Sequence, residues 1–174
     1  MAYGERNTRQ EVYDESGSLE YQEVLVSLFI VCDIVNDGIK FNDKVFAKIF
    51  KLFKESICDR EELPYMNDFI ANEDTEIKNL TAEILVGDRE LSPLWIEKNI
   101  PVASLEDDEV FDKYVIETLL RFKLQKINAT IRDIKEQLKE IKDPQESSIL
   151  LYEYKKITDR RNFISKKLNQ VCMN

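Results

Sequence analysis

From Leu120 onward the apolar residues of this chain keep a fixed rhythm. Leu120, Leu124, Ile127, Ile131, Ile134, Leu138 and Ile141 are separated by four and three residues in alternation. On a helix that spacing draws a narrow apolar line with charge on every other side, and a line that narrow is covered by one partner helix. A second line follows. Leu150, Tyr154, Ile157, Arg161, Ile164, Leu168 and Val171 repeat the same steps, and only the short segment "KDPQE" (142–146), with Pro144, separates the two. Two such helices joined by a tight turn fold back on each other as an antiparallel hairpin. Counting outward from the turn sets Leu138 near Leu150, Ile134 near Tyr154, Ile131 near Ile157, Ile127 near Arg161 and Leu124 near Ile164. Each arm of about 22 residues would reach roughly 33 Å at 1.5 Å per residue. Arg161 interrupts the second line, and the expectation is that its long stem lies in the seam while its head reaches water.

The rest of the chain reads as short helices. With 4 Gly and 4 Pro in 174 residues there is too little turn chemistry for a sandwich or barrel. Residues 1–18 are polar and are expected to be a linker or flexible tail. A helix is expected from Leu19, carrying Tyr21, Val24, Leu25, Leu28, Phe29, Cys32 and Val35, and ending at Gly38 in the left-handed conformation. Asn42 is the expected cap of a second helix with an aromatic face of Phe46, Phe50 and Phe53. After Pro64 a short helix around Met66–Asn72 is expected. Then comes one capped by Asp74 or Thr75, bearing Ile77, Leu80, Ile84 and Leu85 and ending near Gly87. The segment around Trp95, between Pro93 and Pro101, is irregular. Six of the nine phenylalanines precede residue 70 and are expected to fill the core of this bundle.

Ser104 is the expected cap of the longest helix, with the acids "EDDE" (106–109) in its first turn, where they favour the positive end of the helix dipole. Neighbouring acids on a helix do not all converge, so that reading outweighs a metal site. Val110 to Phe122 is apolar nearly all round and belongs with the bundle. The expected architecture is therefore all-α: a linker or tail (1–18), a small multi-helix bundle (19–119), and a long helix closing into an antiparallel helical hairpin (120–174).

Composition narrows the chemistry. The chain has no histidine, no CxxC pair, no GxxxxGK[ST] and no GxGxxG. His-based catalysis, zinc centres and nucleotide loops lose their usual residues, and no catalytic residue, metal or cofactor is expected. Three scattered cysteines do not make a disulfide framework. The opening residues lack a leader pattern, and the longest apolar run, Val24–Val35, is too short for a membrane span of roughly 20 residues. A cytoplasmic protein is expected. The net charge of −9 is unevenly placed: residues 1–119 carry −15, and residues 120–174, with thirteen Lys or Arg against seven Asp or Glu, carry +6. Acids interrupt that basic balance throughout, so direct binding of nucleic acid is disfavoured.

If the apolar lines are consumed in closing the hairpin, function falls to residues beside them. On the last helix these are Tyr152, Lys156, Arg160, Phe163 and Lys167, aromatic anchors interleaved with cations, a combination enriched in protein interfaces. The simpler alternative is that Tyr152 and Phe163 only flank the seam.

Several stretches carry a resemblance. They are "LVSLFIVCDIVNDG", "FNDKVFAKIFKLF", "LTAEILVGDRELSPLWIEKNI", "VIETLLRFKLQKINATIRDIKEQLKE" and "LLYEYKKITDRRNFISKKL". In this order, over about residues 19–172, the chain resembles the C-terminal helicase-binding domain of bacterial DNA primase. The resemblance implies an interaction module that docks on the N-terminal domains of the hexameric replicative helicase and has no catalytic core of its own. Residues 1–18 would be the end of the linker from that core. The alternative is a free-standing helical adaptor, or a coiled coil that oligomerises through its apolar lines. A hairpin satisfied within one chain would instead be a monomer.

Overall fold

A computed structural model describes residues 6–13, 18–86 and 105–173, with side chains given up to Gln10 in the first stretch and up to Asn169 in the last. The expectations for Gly87, the Trp95 segment and Ser104 lie outside the described residues. The class is all-α, with one two-stranded sheet. The chain divides into two compact units, 1–104 and 105–174.

The first unit opens with the sheet, and here the structure corrects the sequence reading. Strands β1 (Asn7–Tyr13) and β2 (Leu19–Leu25) pair antiparallel in a register running from Asn7 opposite Leu25 to Tyr13 opposite Leu19. The tail expected over 1–18 thus contains a strand, and the helix expected from Leu19 begins seven residues later. The reason is an ambiguity of period. Tyr21, Val24, Leu25 and Leu28 fit a helical spacing, but Leu19, Tyr21 and Leu25 also fall on one face of a strand. Pairing with β1 resolves it, because a strand's backbone bonds come from a neighbour that local spacing does not contain. The ladder ends where the Val26 N–H donates to the Arg6 carbonyl at 2.9 Å.

Helix α1 (Val26–Asn36) follows and buries Val26, Ser27, Val31 and Ile34. Its end is as expected. Gly38 has φ +63°, its N–H donates to the Val35 carbonyl, and the Ile39 N–H reaches back to Ile34. These two bonds form a Schellman closure, which requires the left-handed conformation that glycine adopts at least cost. Helix α2 (Lys44–Lys54) is capped by Asp43 rather than Asn42; the Asp43 carboxylate accepts from the Val45 and Phe46 N–H groups at 2.8 and 3.0 Å. It runs straight into one π-helical turn, Glu55–Asp59.

Short helix α3 (Met66–Ile70) brings the buried Phe69 onto Phe53, rings 5.2 Å apart. Helix α4 (Thr75–Val86) starts as expected, with the Asp74 carboxylate accepting from the Glu76 N–H. The phenylalanine core is not what forms. Of the six phenylalanines before residue 70 only Phe69 is buried; Phe46 is exposed and the others are half-buried. Aliphatic side chains, among them Val31, Ile34, Ile57 and Ile77, occupy the interior instead. Lys48 of α2 ties this unit at its surface, donating to Asp74 at 2.5 Å and to Glu76 at 3.0 Å at the start of α4.

The second unit is the hairpin. Helix α5 (Asp108–Glu140) is unbroken for 33 residues, and Asp107 caps it, its carboxylate accepting from the Glu109 and Val110 N–H groups. The acidic run therefore supplies the cap as well as the first turn, where Asp108 and Glu109 lie. The division between units falls at 104/105, whereas the sequence reading put it at 119/120. One continuous helix carries the segment expected in the bundle, so residues 108–119 are grouped with the hairpin. That segment is not apolar on all sides in effect: Phe111, Val115 and Leu119 are buried, whereas Tyr114 is exposed.

Helix α5 ends at Glu140, and helix α6 (Pro144–Met173) begins after three residues. Asp143 accepts from the Gln145 N–H at 3.1 Å, and Pro144 stands at the first helical position, where its missing N–H costs nothing. The two apolar lines face inward as expected. Ile131, Ile134, Ile164 and Leu168 are buried, and every other line residue with a described side chain is half-buried. The Lys135 ammonium sits 5.8 Å over the Tyr154 ring, in keeping with Ile134 opposite Tyr154. Arg161 is half-buried with its guanidinium turned outward, donating to Asn162 Oδ1 at 3.0 Å.

Replacing Ile134 by Ala is expected to lower stability by about 2–5 kcal/mol. Replacing the exposed Leu151 by Ala should stay within about 0.5 kcal/mol. Urea unfolding followed by circular dichroism measures both. The Lys48 cluster gives a pH prediction. The hydrogen bond from Lys48, then that from the Glu76 N–H, holds Asp74 below its ordinary value of 3.8, and the Asp74 and Glu76 carboxylates raise Lys48 above 10.5. The Asp74 contribution is complete above pH 3.8 and fades as acid carries the pH through its lowered value; the Lys48 contribution is complete below pH 10.5 and fades as base carries it through the raised one. A carboxyl NMR titration should place Asp74 below 3.8, and Lys48→Met should move it back up.

Candidate functional site

The candidate residues lie on α6. Helical geometry advances about 100° per residue, so Tyr152, Lys156, Arg160, Phe163 and Lys167, with Gln145 and Ile149, share a sector of roughly 80°. All seven are exposed. The three apolar members stand well out of the protein: Ile149 at 65%, Tyr152 at 72% and Phe163 at 59%. The sector holds three cations and no acid; Glu153 and Asp159 lie to either side of it. It is separate from the inward line of Leu150, Tyr154, Ile157, Arg161, Ile164 and Leu168, so an occupant can cover it without opening the hairpin.

The sector is partly pre-arranged. The Lys167 ammonium lies 5.1 Å over the Phe163 ring, one helical turn away. This contact is attractive through the ring quadrupole. Every sequence-predicted site residue is brought onto this one face. Ile149 belongs with them and was missed. Its signal was available: it lies three residues before Tyr152, one step along the same face. Lys123 was missed in another way. It is buried on α5, four residues beyond Leu119 on the ridge Phe111, Val115, Leu119. The alternating rhythm begins beside that ridge and does not include it.

Anchors and cations on a convex helix can hold a complementary surface, but they assemble no nucleophile with a base. Among the described residues, no three His, Cys, Asp or Glu side chains are grouped so as to hold a metal ion. One open depression lies in the first unit, beside Leu52, Ser56, Arg60, Asn67 and Asp68. There the Arg60 guanidinium is already committed to the Ser56 hydroxyl at 2.6 Å. Among the described residues no helix is long and apolar enough to cross a membrane.

Fold and site together define an all-α chain with an antiparallel helical hairpin that offers a mixed aromatic and cationic face. The chain belongs to the family described as "Domain of unknown function (DUF8430)", whose model matches residues 1–171. Neither the curated proteins nor the solved structures contain a match.

Because Tyr152 and Phe163 project outward, Tyr152→Ala and Phe163→Ala are each expected to change stability by no more than about 0.5 kcal/mol. Urea midpoints close to that of the unmodified protein would bear this out. A large loss would mean that these rings support the fold.

Proposed function

We propose that this chain is a non-catalytic interaction module through which a DNA primase docks on the N-terminal domains of the hexameric replicative helicase, coupling priming to fork unwinding. One observation carries the reading. The apolar lines of α5 and α6 are satisfied within one molecule, while Ile149, Tyr152 and Phe163 stay exposed among cations on the face beside them. A hairpin closed in this way acts as a finger whose exposed rings can meet a partner without opening the seam.

Three further features support it. Short helices followed by a long helix and a closing hairpin follow the order of the helicase-binding domain that the sequence resembles. The site holds the residue types that anchor protein interfaces. It lacks any grouping suited to catalysis. In this reading the module works in the cytoplasm as a monomer, without a cofactor, a small-molecule substrate or direct contact with nucleic acid. The closed seam also counts against a coiled coil that oligomerises through its apolar lines, because those lines already face each other.

The test is co-elution with the replicative helicase of the same organism on gel filtration. The unmodified chain is expected to travel with the hexamer. Combined Tyr152→Ala, Arg160→Ala and Phe163→Ala should abolish this while the chain stays folded. Absence of co-elution by the unmodified chain at low salt would overturn the helicase assignment and leave an adaptor for some other protein.

A further inference from the structure

The hydrogen bonds of the first unit's sheet fix which backbone groups face outward. The bond from the Val26 N–H to the Arg6 carbonyl marks these two as a hydrogen-bonded pair. In an antiparallel ladder such pairs recur at every second residue. In the observed register they fall at Thr8 with Val24, Gln10 with Gln22 and Val12 with Glu20. The N–H and C=O groups of Leu19, Tyr21 and Glu23 therefore point away from β1. Among the described residues the sheet has no third strand, so these groups form an open edge. Residues 19–23 are all exposed, Leu19 at 46% and Tyr21 at 64%.

An open edge is a template for another strand, and its side chains restrict which strand. Leu19, Tyr21 and Glu23 share one face of β2, and Glu20 and Gln22 share the other. The strand carries two acids and no cation. Glu23 accepts from the Asn7 side-chain amide at 3.3 Å and stands across the ladder from Arg9, whereas Glu20 stands across from Val12. The surrounding unit is acidic too: residues 1–104 hold eleven Lys or Arg against twenty-one Asp or Glu, a net of −10.

A second copy fits this edge poorly. A two-fold axis at Glu20 sets that residue against the second copy's Glu20. An axis at Tyr21 sets Leu19 against the second copy's Glu23, and an axis at Gln22 sets Tyr21 there. The β1 edge of another copy would bring Thr8, Gln10 or Val12 opposite Glu20, none of them a cation. In each case two acidic units meet, and like charge brought together at an interface is unfavourable.

We infer that the outer edge of β2 takes an extended segment of a partner protein, antiparallel to it, with a Lys or Arg opposite Glu20 and β-branched apolar residues opposite Tyr21 and Leu19. Opposite-charge pairs and pairs of an aromatic with a β-branched residue are the cross-strand contacts that stabilise a sheet. The added strand also turns a two-stranded ribbon, marginal by itself, into a three-stranded sheet. The site lies in the first unit and uses no residue of α6, so it stands or falls apart from the docking reading above.

The probe is a peptide with the core Thr-Thr-Val-Lys-Val, whose residues meet Glu23, Gln22, Tyr21, Glu20 and Leu19 in that order. It is titrated into the full chain and followed by NMR. Its first, third and fifth core residues turn their N–H groups toward β2. At saturation, exchange of the Tyr21 and Glu23 amide hydrogens is expected to slow by about tenfold or more. N-methylation of the third core residue should abolish binding, and N-methylation of the fourth should be tolerated. Glutamate in place of the core lysine should weaken binding to the unmodified chain by about fivefold, and Glu20→Lys should reverse that preference. The inference is overturned if the bound peptide leaves the Tyr21 and Glu23 amides exchanging as before, or if methylation of the third residue is tolerated as well as that of the fourth. It is also overturned if the Glu20→Lys chain still prefers the lysine peptide. Protection of the same amides in the chain alone, growing with its concentration, would overturn it in favour of a second copy.

Discussion

Closure of α5 on α6 is the interaction on which the second unit and its proposed docking role rest. Two helices of 33 and 30 residues are both too long to be covered by a small core. Each carries one apolar line, and each line needs one neighbour. The three residues Ile141 to Asp143 keep that neighbour in the same chain, so the partner is always at hand and its orientation is fixed. The carboxylate of Asp143 and the ring of Pro144 start the returning helix immediately, which leaves little freedom to slip. Arg161 is accommodated because its stem lies in the seam and its charged end reaches Asn162 outside.

Closure also decides what the surface can do. A helix that spends its apolar line internally is free to use its remaining circumference elsewhere. On α6 one side of that circumference carries anchors and cations without an intervening acid. The face is convex, lies on a rigid element and is spaced like a helix. Those properties suit contact with another protein. The separation of the two roles on one helix is the physical basis of the docking reading.

Local chemistry made much of the first unit's punctuation readable. Gly38 ends α1 because a left-handed residue was required, and Asp74 caps α4 because a carboxylate can reach the free N–H groups of the first turn. The caps of α2 and α5 lay one and three residues from their expected places. In "FND" and "SLEDDE" several side chains can accept the same bonds, and the choice depends on where the preceding chain enters. The candidate face was legible almost entire, since exposure on a two-helix hairpin follows from helical phase alone. Ile149 escaped only because the neighbouring inward line, beginning at Leu150, drew the reading to itself.

By itself the sequence determined the helical class and the hairpin, because a four-three rhythm repeated on both sides of a proline leaves one economical arrangement. Only the tertiary structure decided that residues 7–13 and 19–25 form strands, since their hydrogen bonds run between segments and Tyr21 and Leu25 satisfy either period. It also decided that aliphatic side chains rather than the phenylalanines fill the first unit. Periodicity assigns a residue to a face, but which faces are covered depends on neighbours that approach from elsewhere in the chain.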